Sequence, residues 1–153
     1  MKTTKVYIAL IISVLISLSQ INIIASDYFM NAIFTVMGIM FSIGMGLIVT
    51  FNLSSIKNKT VLKAIRENIK SLQTYFITFF SLSALIYIVE YFFRDQTTNI
   101  NIFKLFTVKE VNINFNLSLF ALSFLLFSII FFIVNFTKLQ KLNNDIIDQT
   151  IDQ

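Results

Sequence analysis

Glu90 and Arg94 are the residues of this chain whose types and spacing come nearest to active chemistry. They stand four apart at the end of the uncharged run Ser71–Val89, and Glu90 is the only acid inside an expected span. An ionisable residue within a membrane segment is a transport or proton-relay signal. An acid one helical turn before an arginine is also the ordinary spacing of a helical salt bridge. The spacing favours an interfacial Glu90–Arg94 pair over an ion-binding site.

The remaining repertoire is narrow. The chain has no His and no Cys, which removes the commonest general base, the commonest transition-metal ligand, thiolate nucleophiles and disulfides. No G-x-S-x-G elbow and no metal-ligand spacing occurs. The expectation is a non-enzyme with no cofactor and no metal.

Two charged stripes remain. Lys59, Lys63, Arg66 and Lys70 step by 4, 3 and 4, and Asp145, Asp148 and Asp152 step by 3 and 4. Each therefore marks one helix face. Beside the basic stripe, Leu62, Ile65, Ile69, Leu72 and Phe76 form a coiled-coil-like seam. The two stripes are expected either to pair with each other or to stand as solvated faces. Segments 57–72 and 138–153 are also where a cytoplasmic protein partner would dock.

The elements that carry these residues are set by hydropathy. Of 153 residues 56% are apolar and 13% charged, with 18 Phe, where soluble domains run at about 25% charged. The solvent for this surface is lipid, and the chain reads as one all-α membrane domain spanning 1–153. Spans are expected at about 6–24, 29–53, 73–93 and 116–137, each near the ~20 residues a bilayer needs. Helical cytoplasmic extensions lengthen the third and fourth. Lys2 and Lys5 before VYIALIISVLISL also fit a secretory signal, but the apolar run continues to Ala25, which favours a retained helix.

Lysine and arginine orient the chain. With both termini in the cytoplasm of an inner-membrane protein, nine basic residues lie inside and three outside: Arg94, Lys104 and Lys109. The basic excess is thus a topology signal, and no nucleic-acid role is expected. The outer loop 94–115 alternates at Asn99–Ile102 and again from Val111 to Leu117, which fits either a short extracytoplasmic β-hairpin turning near Thr107–Glu110 or a plain connecting loop.

All three glycines fall in GIMFSIGMG, residues 38–46, and there is no proline. Gly38, Ser42, Gly46, Thr50 and Ser54 recur every fourth residue. In lipid, close backbone approach stabilises helix contacts, and such a stripe permits it. Internal packing, a subunit interface and pore lining are its three readings. Ala9, Ser13 and Ser17 make a shorter copy expected to meet it. Gly44 lies off the line, as a second contact or a point of flexibility. Phe120, Phe124, Phe127 and Phe131 form an aromatic face expected to pack on a neighbouring helix or on lipid.

The functional expectation is a homo-oligomeric channel, sensor or membrane effector. This layout is similar to that of small bacterial effectors and sensors of phage-defence systems, a likeness that carries no residue across. The alternative is a structural, accessory or immunity-type subunit that binds another membrane protein.

Overall fold

The computed structural model describes residues 4–18, 25–50, 53, 56, 58–96, 102–108 and 111–151, with side chains left aside at 5, 95–96, 102–114 and 147–151. In chain order the elements are α1 (Thr4–Ser17), α2 (Asp27–Thr50), α3 (Lys59–Gln96), β1 (Ile102–Val108), β2 (Val111–Asn116) and α4 (Leu117–Ile151).

The helix starts have local causes. Ser26 Oγ accepts from Phe29 N (3.4 Å) before α2. Asn58 Oδ1 accepts from Thr60 N (3.0 Å) and Val61 N (3.3 Å) before α3, and Asn116 Oδ1 accepts from Leu119 N (3.0 Å) before α4. These are the N-cap residue types that satisfy orphan backbone donors. With no proline to interrupt them, α3 runs 38 residues and α4 runs 35. At 1.5 Å per residue these are about 57 and 52 Å, well beyond the ~30 Å hydrocarbon core.

α2, α3 and α4 are each long and apolar enough to cross a membrane, which is compatible with a membrane location. α1 is different. Its 14 residues give about 21 Å, short of the core thickness. The expected span 6–24 continues into residues 19–24, which lie outside the described residues.

α4 is the central element and packs against α1, α2 and α3, while α2 also packs on α3. The core holds Met30, Met37, Phe76, Phe79, Phe124, Leu125 and Phe132. Phe131 stacks on Phe79 with centroids 4.2 Å apart, and Phe76 meets Phe132 edge-on at 5.1 Å. Of the Phe120–Phe131 face, Phe124 and Phe131 pack on α3 in this way, with Phe79 and Phe124 centroids at 6.2 Å.

Ser13, Ser17, Ser83, Ser118, Ser128 and Glu90 are fully buried beside the aromatic core, whereas Ile11, Leu15, Ile39, Leu85, Ile88 and Ile130 are exposed. Apolar surface of this extent is compatible with lipid around the bundle. Ser83 and Ser128 join α3 to α4 at 2.7 Å, and Ser128 Oγ also donates to Phe124 O (2.9 Å).

β1 and β2 pair antiparallel from Ile102↔Asn116 to Val108↔Val111, with a register shift between Lys104 and Phe106. Of the expected Asn99–Ile102 alternation, Asn99–Asn101 lie outside the described residues, and β1 as described begins at Ile102.

Candidate functional site

The densest polar constellation sits where the start of α2, the end of α3 and the start of α4 converge. Arg94 is its centre. Its Nε donates to Glu90 Oε1 at 2.8 Å and its Nη2 reaches the same oxygen. Nη1 pairs with Asp27 Oδ1, and Nη2 also reaches Ser118 Oγ at 3.3 Å. Ser118 Oγ in turn accepts from Ala25 N at 3.3 Å. One guanidinium thus ties its own helix to α2 and α4, and Ser118 ties in the segment that leads into α2.

Exposure separates the two carboxylates. The Glu90 side chain is 1% exposed, Arg94 13% and Asp27 69%. Glu90 is therefore sheltered by the bundle and neutralised by Arg94, while Asp27 closes the cluster from outside. Both ends suit the helix dipoles, with Asp27 in the first turn of α2 and Arg94 in the last turn of α3. One turn further in, Tyr87 OH donates to Asn31 Oδ1, and the Tyr87 ring stacks on Phe34 at 4.3 Å. The arrangement clamps helices. Its buried acid is paired with a guanidinium.

The sequence spacing singled out Glu90 and Arg94 but not Asp27, Ser118 or the Asn31–Tyr87 bond. The signal for Asp27 was legible: it is a lone acid between two long uncharged runs, at the level where the returning α3 ends in Arg94. Ser118 carries no such mark.

The stripe on α2 splits. Ser42, Gly46 and Thr50 are exposed and Gly38 is half-buried, and a Cβ built on Gly38 or Gly46 would meet nothing within 4 Å. Ser42 Oγ donates to Gly38 O (2.9 Å) and Thr50 Oγ1 to Gly46 O (3.1 Å), so the hydroxyls are satisfied within their own helix. Ser54 lies outside the described residues. The glycine that the protomer uses is Gly44. It is buried, and a Cβ there would collide with the Phe76 ring, 2.9 Å from its Cδ2. The short copy on α1 does not meet the α2 stripe either. Ala9, Ser13 and Ser17 are buried, and α1 packs on α4.

At the opposite end, Lys59, Lys63, Arg66 and Lys70 are exposed along α3, and Asp145 is exposed on α4. Leu139 and Ile146 are the buried residues of the α4 extension. Among the described residues both ion pairs belong to Arg94, so Arg66 and Asp145 do not pair within the protomer. Asp148 and Asp152 lie outside the described side chains. Among the described residues no cluster of three metal-ligating side chains occurs. No family model, curated protein or solved structure matches this chain.

Proposed function

We infer that this chain is a small homo-oligomeric membrane protein that acts as a channel, sensor or membrane effector and carries out no chemical transformation. One observation carries the reading: Gly38, Ser42, Gly46 and Thr50 form a small-residue face whose hydroxyls are internally satisfied, Ser42, Gly46 and Thr50 are exposed, and among the described residues nothing lies within 4 Å of a Cβ built at Gly38 or Gly46. Small faces on lipid-embedded helices favour close helix association, so a second copy is the natural cover. The clamp around Arg94 then braces the protomer at the extracytoplasmic end, with 57–72 and 138–153 facing the cytoplasm under the positive-inside rule. The β1–β2 hairpin is the extracytoplasmic surface of this arrangement.

Native mass in detergent, together with a membrane-potential dye in expressing cells, tests the reading. An oligomer that depolarises cells is expected. A monomer that leaves the potential unchanged overturns it and leaves an accessory subunit, whose α2 face is covered by a different membrane protein.

A further inference from the structure

The α3 basic stripe is not uniform. Arg66 and Lys70, together with Gln73 and Ile69, line one side of a groove of about 420 Å³ whose other side is Ile48 and Val49 at the end of α2 and Leu53 just after it. Lys59 and Lys63 do not line it. One wall is cationic and hydrogen-bonding, the other aliphatic, and among the described residues no carboxylate lines the groove. Val49 is 77% exposed, so the aliphatic wall opens sideways to the surroundings of the bundle.

Depth matches the chemistry. The uncharged run of α3 begins at Ser71 and ends at Val89, about 28 Å of helix, which is the thickness of the hydrocarbon core. Lys70 then sits at the core boundary and Arg66 about 6 Å beyond it, within the ~5–7 Å headgroup layer. The groove holds two cations at phosphate level; with Gly44 level with Phe76 and the helices antiparallel, Ile48 and Val49 lie just inside the core boundary and Leu53 lies level with the cations.

We propose that the groove between α2 and α3 is a binding seat for one anionic glycerophospholipid, its phosphate held by Arg66 and Lys70 and the start of its acyl chain laid against Ile48 and Val49. The seat rests on the membrane location and is independent of channel activity. Arg66 supplies planar donors to the phosphate, and Lys70 a point charge one turn nearer the core. Occupancy would couple the end of α2, which carries the uncovered small face, to the charge of the leaflet.

The test is native mass spectrometry of the full chain in neutral detergent, titrated with phosphatidylglycerol or phosphatidylcholine. Retained phosphatidylglycerol and weak phosphatidylcholine adducts are expected. In R66Q/K70Q the phosphatidylglycerol affinity should fall about 30-fold, given the attraction of each cation at a membrane surface. K59Q/K63Q should keep it, because that pair removes equal charge outside the groove. Val49→Asn should weaken the lipid adduct without altering binding of inorganic phosphate. Equal adducts in R66Q/K70Q and the native chain overturn the proposal, as does complete displacement of the lipid by millimolar inorganic phosphate, which would mark a site for free anions. Alkaline carbonate washing distinguishes the deeper failure: release of the chain from membranes refutes the membrane location itself, whereas a retained chain without selective adducts refutes only the lipid seat.

Discussion

Arg94 and Gly44 decide the protomer residue by residue. Removing Arg94 strands Glu90, which is 1% exposed, as a buried unpaired charge. Arg94→Ala should therefore lower unfolding stability by about 3–5 kcal/mol, read as thermal melting in detergent. Adding Glu90→Gln should recover much of that loss, because the charge that lacked a partner is gone. Gly44 answers to space. The Phe76 ring occupies the volume of its missing Cβ, so Gly44→Ala should cost about 1–3 kcal/mol as overpacking. Gly38→Ala and Gly46→Ala meet nothing within the protomer, and should raise the melting point of the monomeric protomer slightly, since alanine is the better helix former by up to ~1 kcal/mol. If all three behave alike, the assignment of Gly44 as the internal contact is wrong.

Among elements, α4 is the hub. It is bound to α3 by the Ser83–Ser128 hydrogen bond and by the Phe79–Phe131 stack. The hydrogen bond is worth about 0.6 kcal/mol in a membrane setting, so aromatic packing is the larger share of that contact. The long helices carry the topology prediction. The chain has no native Cys, so single cysteines report without background. With Asn99→Cys and Asn144→Cys, a membrane-impermeant maleimide applied to intact cells should label the first and spare the second. The reverse pattern inverts the topology and places the Arg94 clamp at the cytoplasmic end.

At the scale of the whole molecule, the described residues show an aliphatic exterior, an aromatic core threaded by buried serines, and a small-residue face on α2 that is largely exposed. That uncovered face predicts assembly. A Ser42→Cys variant should form an intermolecular disulfide in membranes under mild oxidation. Val134→Cys, at an exposed aliphatic position of α4, should not. Cross-linking at Val134 without cross-linking at Ser42 would move the interface to α4. Replacing Gly38 and Gly46 by Leu should reduce native mass toward the monomer while leaving the protomer folded.

Much of this was written in the linear chain. Long uncharged runs and absent proline are local signals, and they account for three membrane-length helices. The Glu90–Arg94 contact was legible for the same reason, since one turn of helix brings the two residues together whatever surrounds them. The expected first span was less secure, because α1 as described is shorter than a bilayer. Other features depend on how helices are rotated and ordered, which spacing along one helix does not encode. Equal four-residue spacing made Gly38, Ser42 and Gly46 look like the packing face, yet α2 turns Gly44 toward Phe76 instead. The α1 stripe was matched to α2 by likeness, but α4 lies beside it. Asp27 and Ser118 reach Arg94 only because three helix ends meet at one level. Contacts between residues 67 and 24 positions apart arise from the packing of the bundle, and so does the groove that sets Arg66 and Lys70 opposite Ile48 and Val49.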